Sequence, residues 1–197
     1  MALSGEASED ENRGVSQTRP PSRGGPPQPP GRTLILLRHA KSDWSGHVVD
    51  IARPLAKRGR RQAPETGRWI NANLNPLDLA LVSPAERARS TWHLVAAQLD
   101  APPRSIIDDR LYAASVEDLL GIVRELPDQV HGAVLVGHNP GMEDLVLHLT
   151  GEWVPLPTAA VASIAVPGSW ATAGHAEATL RASGRPPIGA ARPDDVR

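Results

Sequence analysis

The chain contains no cysteine. That excludes a disulfide framework, a thiolate zinc site and a cysteine nucleophile. Phenylalanine is absent too, and one Tyr and five Trp are the whole aromatic complement of 197 residues. The core must therefore be built from Leu, Val, Ile and Ala. No apolar run approaches the ~20 residues that span a bilayer. Residues 1–17 are acidic and polar without an apolar centre, so neither a signal peptide nor a membrane partner is expected, and a cytoplasmic location is the default. Neither sign of charge dominates: a net charge of −1 gives no electrostatic case for a nucleic-acid partner. There is no H-E-x-x-H pair and no Walker loop, so neither that metal site nor an NTP-driven reaction is indicated.

Proline and glycine, by contrast, are plentiful and concentrated at the ends. Half of residues 19–30 are proline, and Glu6, Glu9, Asp10 and Glu11 crowd the stretch before them. Such a segment buries too little apolar surface to offset its ordering entropy. Residues 1–30 are therefore expected to be a disordered tail, and 184–197 a second one. Residues 31–183 remain, about 150 residues, a usual size for one domain.

Within that span short apolar runs alternate with longer segments of helical period. Strands are expected at 33–37, 79–82, 105–107 and 133–136, with later ones at 161–166 and 177–182. Helices are expected over about 55–74, from the turn at Ser83, over 116–126 and from about Asn139. Pro64 falls inside the first and should start or kink it. Ser83, Pro84 and Glu86 read as N-cap, first helical residue and capping-box partner. Asn139 and Pro140 read the same way, as N-cap and first helical residue. Ala88, Trp92, Val95 and Leu99 have the spacing of one buried helix face. Lys57, Arg58, Arg60, Arg61 and Arg68 read as a solvated basic face, or else as a docking surface for an acidic phosphoprotein. Alternation of this kind predicts an α/β domain with a parallel sheet and right-handed crossovers.

The polar residues then fall into a pattern. Arg38 and His39, the 83–87 turn, residues 109–112 and His138 all follow the carboxyl ends of predicted strands, where open α/β sheets bind ligands. Two arginines and two histidines on one rim suit an anion. A guanidinium fork beside an imidazole suits phosphate in particular if that imidazole is a nucleophile. Arg87, in a first helical turn, would add the positive end of the helix. Taken singly, each has a plainer reading: Arg87 as a solvated arginine, His138 as a structural histidine.

Three motifs carry a resemblance. Leu37-Arg38-His39-Ala40, Ser83-Pro84-Ala85-Glu86-Arg87-Ala88 and Val136-Gly137-His138-Asn139-Pro140-Gly141 are similar to the signatures of the histidine phosphatase superfamily. Arg38 to Trp44, Asp50 to Leu55 followed by Gly59, and the His-Asn-Pro-Gly turn resemble its compact branch, the SixA-type phosphohistidine phosphatases. The resemblance implies a three-layer α/β/α, phosphoglycerate mutase-like fold with a mostly parallel central sheet. It implies that His39 is a nucleophile carrying a phosphohistidine intermediate, and that Arg38, Arg87 and His138 bind the phosphate. It implies no metal and no cofactor. Asp50, which precedes Arg53-Pro54-Leu55, is the carboxylate singled out as proton donor; Asp43, Asp108 and Asp109 read as loop or capping residues. The expected partner is a phosphorylated protein, with small phosphate esters, a phosphomutase reaction or a non-catalytic phosphate-binding module as alternatives. Trp44 and Trp69 are candidates to flank the opening, with core packing the plainer role for Trp69.

Overall fold

The computed structural model describes residues 31–74 and 76–187. Strand β1 is Arg32–Arg38 and helix α1 is Lys57–Asn73. Then come β2 (Leu79–Val82), α2 (Glu86–Ala96), β3 (Arg104–Ile107) and α3 (Val116–Arg124). The chain continues through β4 (Gly132–Gly137), α4 (Gly141–Thr150), β5 (Val161–Val166) and β6 (Thr179–Gly184). The six strands form one sheet in the order β3-β2-β4-β1-β5-β6. The first four are mutually parallel; β5 runs antiparallel to β1, and β6 to β5.

Strand alternation divides the core into two halves. Leu34 and Leu36 of β1, with Ala133 and Leu135 of β4, pack against α3 and α4 through Leu119, Ile122, Leu145 and Val146. Ile35 and Leu37, with Val134 and Val136, pack against α1 and α2 through Ala63, Ile70, Ala88 and Trp92. A strand buried on both faces has no polar alternation, which is why these strands read as continuous apolar runs. The result is the three-layer α/β/α sandwich.

The helix after β1 covers one face and the helix after β4 covers the other, although β1 and β4 are neighbours. Their carboxyl ends therefore diverge and leave a crevice, the position where such sheets bind ligands. His39 leaves β1 and His138 leaves β4 at that crevice.

Several local expectations are corrected. α1 begins at Lys57, so it does not start at Pro64, its eighth residue, but runs through it. Packing of Ala63, Thr66 and Ile70 outweighs one missing N–H bond. Ser83 does not cap α2: the helix starts at Glu86 with Ala85 at the cap position. The Ser83 hydroxyl is instead 2.8 Å from His138 Nε2. Likewise Asn139 does not cap α4, whose cap position is Pro140; its amide donates to the Leu156 carbonyl at 3.1 Å. β6 starts two residues later than expected and runs through Gly184, so the folded domain reaches past 183. The expected tail over 1–30 and residues 188–197 of the second lie outside the described residues. Ala88, Trp92, Val95 and Leu99 are all buried, and the five basic residues of α1 are all exposed. Among the described residues no helix is long and apolar enough to cross a membrane.

Candidate active site

The strand ends do meet. The His39 and His138 rings lie 5.0 Å apart between centroids, and Tyr112 stands edge-on to His138 at 5.7 Å. Arg38, His39, Arg87 and His138 line one pocket of about 310 Å³ together with Lys41, Ser42, Trp44, Arg53, Asn139 and Thr158. A larger hollow of about 500 Å³ between α1 and α2 contains none of the four.

His39 is placed by the sheet. Its N–H donates to the Gly137 carbonyl, extending the β1–β4 ladder by one residue, and its carbonyl accepts from Ala159. Nδ1 is 2.8 Å from the Ala40 carbonyl. A carbonyl only accepts, so Nδ1 carries the proton and Nε2 keeps the lone pair. Burial is the main cause that lowers the His39 pKa to about 4, and Arg87, Arg38 and Arg53 lower it further. Neighbouring cations and desolvation both favour the neutral imidazole, and desolvation is the larger cause. His138 is lowered to about 3 by burial, His39 and Arg87.

Around this pair stand guanidinium groups, each fixed from behind. Arg38 Nη1 donates to the Leu156 carbonyl at 2.6 Å. Arg87, second residue of α2, donates to the Asp50 carbonyl at 2.7 Å and to Asp50 Oδ2 at 2.9 Å. The Nε atoms of Arg38 and Arg87 are buried and have no hydrogen-bond partner among the described residues. A buried, unpaired charged donor is costly unless an acceptor arrives. Thr91 joins the two halves of the site: its hydroxyl accepts from the Ala40 N–H and donates to the Arg87 carbonyl.

Asp50 stands among three hydrogen-bond donors. Its carboxylate accepts from Tyr112 Oη at 2.7 Å, from Arg53 Nε at 2.8 Å and from Arg87 Nη2. The Tyr112 bond, and then those from Arg53 and Arg87, hold its pKa at about 2. Donors of this kind favour the ionised form. The carboxylate joins two of the guanidiniums that line the pocket, Arg53 and Arg87. Asp43 accepts from Ser45 N and Oγ, and Asp108 caps the turn at Arg110, both loop roles as expected.

Three residues of the site were not singled out from the sequence. Arg53 lines the pocket, is 7% exposed, and donates to Ser42 Oγ at 2.9 Å. It sits in the Asp50 to Leu55 stretch, whose composition was the available signal. Tyr112 falls in the polar cluster after β3, but nothing in the sequence paired it with Asp50. Ser83 was masked by its resemblance to a helix cap. Trp44 lies at the mouth, 70% exposed, with the Arg53 guanidinium 3.5 Å above its ring. Trp69 packs at the edge of the α1–α2 core. Among the described residues no group of three or more His, Cys, Asp or Glu could hold a metal ion.

Comparison with known proteins agrees with this geometry. The family model for the histidine phosphatase superfamily (branch 1) matches residues 34–143. An uncharacterized protein of Mycobacterium tuberculosis is 36% identical over 146 residues, covering 68% of this chain and 90% of that protein. The phosphohistidine phosphatase SixA homolog of Haemophilus influenzae is 30% identical over 134 residues, 62% of this chain and 80% of that one. A structure from Nakamurella multipartitia, assigned as a phosphohistidine phosphatase SixA, superposes with a TM-score of 0.73 at 26% identity. It covers 81% of this chain and 98% of its own. A chain with these motifs at the ends of β1, β2 and β4, and with SixA structures as neighbours, belongs to the histidine phosphatase superfamily.

Proposed function

We propose that this protein is a phosphatase that works through a phosphohistidine on His39 and removes phosphate from phosphohistidine in proteins. The observation that carries the reading is one pairing. His39 is neutral, with Nδ1 tied to a carbonyl, and it stands beside two arginines whose buried Nε atoms lack an acceptor.

In the first step His39 Nε2 attacks phosphorus and the bond from phosphorus to the leaving group breaks. Arg38, Arg53 and Arg87 hold the equatorial oxygens as their charge spreads, and His138, steadied by Ser83, donates a further hydrogen bond. In the second step water attacks the same phosphorus, inorganic phosphate leaves, and His39 returns to its neutral form.

The leaving group narrows the substrate. No carboxylic acid lines the pocket among the described residues, and the donors around Asp50 hold the pKa of its carboxyl at about 2. An alkoxide leaves poorly without a proton donor. An imidazole nitrogen is protonated near neutral pH and leaves without an enzymic acid. The site therefore suits a phosphoramidate better than an alkyl ester. The name carried by the Haemophilus influenzae relative points the same way.

The test is to trap the phosphoenzyme. Labelled histidine-phosphorylated protein, an alkyl phosphate and an aryl phosphate are each mixed with enzyme and quenched in alkali, because protonation would release phosphate from the imidazole. The expected result is alkali-stable label on wild type, none on His39→Ala, and fast turnover of the phosphoramidate in EDTA. Fast turnover of alkyl phosphates with none of phosphohistidine overturns the substrate assignment. Label that persists in His39→Ala overturns the nucleophile.

A further inference from the structure

Half of the exposed large hydrophobic side chains among the described residues fall in one short loop. Trp44 (70% exposed), Val48 (50%), Val49 (70%) and Ile51 (40%) stand together in sequence, whereas the other four are spread over three distant sites. Scattered exposed apolar residues mean little; a cluster of them beside a catalytic pocket marks an interaction surface.

The loop is held in place at both feet. At one, Trp44 lies under the Arg53 guanidinium at 3.5 Å. At the other, the Asp50 carboxylate accepts from Arg53 Nε at 2.8 Å and from Arg87 Nη2 at 2.9 Å. Both feet thus rest on Arg53, in the pocket wall, and residues 45–49 arch between them. A phosphate ester bound to the arginines has no need of Val48 or Val49, which point apolar surface to solvent beyond the pocket.

Cations flank the arch on both sides, Lys41 on one and Arg89 on the other. The carboxylates near it keep their charge but are engaged within the molecule: Asp43 by Ser45, Asp50 by Tyr112 and two arginines, Glu86 by Ser90 at 2.6 Å. The Lys41 ammonium makes no ion pair among the described residues and lines the pocket on one side of the arch. On the other side Ile51 and Arg89 line a groove with Ala52, Pro84 and Glu86, where Arg89 and Glu86 approach only to 3.8 Å. An apolar centre with cations on its flanks is complementary to an apolar face ringed by carboxylates.

We infer that residues 44–51 form a docking surface for a folded phosphoprotein whose phosphorylated histidine lies on an apolar face ringed by acidic side chains. This rests on the phosphohistidine-protein reading given above. The arch would select the protein, and the arginine pocket would handle any phosphoryl group delivered to it.

The experiment compares Val48→Ser/Val49→Ser and Arg89→Glu with wild type on four substrates. Two are small: free phosphohistidine and an aryl phosphate. Two are a folded protein phosphorylated by phosphoramidate on a surface histidine with carboxylates around it, and the same protein with those carboxylates changed to lysine. Wild type is expected to show kcat/KM on the acidic protein at least tenfold above free phosphohistidine. The double serine variant should lose about tenfold of that through KM while staying within twofold on the aryl phosphate, which also reports that it is folded. Arg89→Glu should weaken the acidic protein and favour its lysine counterpart.

Equal rates on the phosphoproteins for wild type and the serine variant overturn the docking surface. So does an equal loss on the aryl phosphate. A sedimenting dimer that the serine variant dissociates would assign the arch to a second copy and likewise overturn it. Turnover of the aryl phosphate with none of either phosphoprotein overturns the protein-substrate reading beneath it; no turnover of any substrate overturns the phosphatase reading itself.

Discussion

Asp50 Oδ2 lies 2.9 Å from Arg87 Nη2, across 37 residues of sequence, and the same carboxylate accepts from Arg53 and Tyr112. This contact ties the loop after β1 to the helix after β2, and with the Arg53 bond it puts the carboxylate where it can aim two guanidiniums. It also separates two roles by experiment.

Asp50→Asn removes the charge that holds Arg53 and Arg87 and should lower kcat/KM by about 10- to 100-fold, the worth of charge-assisted hydrogen bonds. The loss should be the same for aryl phosphates of different leaving-group pKa, because the arginines act on the phosphoryl oxygens. A proton donor would show a loss that grows as the leaving group becomes more basic. A series of substituted phenyl phosphates decides between them.

Buried neutral histidines make stability depend on pH. His39 and His138 have pKa values of about 4 and about 3 in the fold, against ~6.5 in the unfolded chain. Between those values the unfolded state binds protons that the folded state refuses, so their contribution is complete above pH ~6.5 and is lost as the pH falls toward 4. Tm should decline over that window, and His39→Asn/His138→Asn should flatten the decline. Imidazole resonances that titrate near 6.5 in the folded protein would contradict this.

Thr91→Val replaces a hydroxyl of similar shape but leaves the Ala40 N–H, which is fully buried, without an acceptor. The cost should be about 1–3 kcal/mol in urea unfolding. Because the same hydroxyl bonds the Arg87 carbonyl at 2.6 Å, kcat should fall as well, with rescue by Thr91→Ser.

Gly59→Ala would place a methyl group 2.2 Å from the Lys41 carbonyl oxygen, and Gly67→Ala one 2.6 Å from the Val95 carbonyl oxygen. Each is expected to cost about 1–3 kcal/mol, since backbone must move to admit it. Only the first displaces the segment that carries His39, so Gly59→Ala should lose activity beyond its loss of stability. Melting curves and aryl phosphate turnover, measured on both variants, separate the effects.

What was legible in the chain was whatever depends on neighbours along it. β2 and β5 were readable to the residue because strands buried on both faces are nearly continuous apolar runs, broken in β5 only by Ser163. Arg38, His39, Arg87 and His138 were readable because each directly follows such a run or opens the next helix. The helix caps misled for a related reason. Ser83 and Asn139 have the right identity for capping, yet their side chains are drawn to His138 and to the Leu156 carbonyl. Those partners are 55 and 17 residues away, so local capping competed with a contact the sequence does not display.

The sequence by itself determined the α/β alternation, the rim where the polar residues gather, and the four cationic and imidazole groups that meet there. Tertiary structure decided their protonation and aim. Burial, more than charge, lowers the His39 pKa; the Asp50 carboxyl is held low because donors reach it from Tyr112, Arg53 and Arg87. Desolvation and convergence belong to the three-dimensional environment of a side chain. Neither can be read from the residues beside it in the chain.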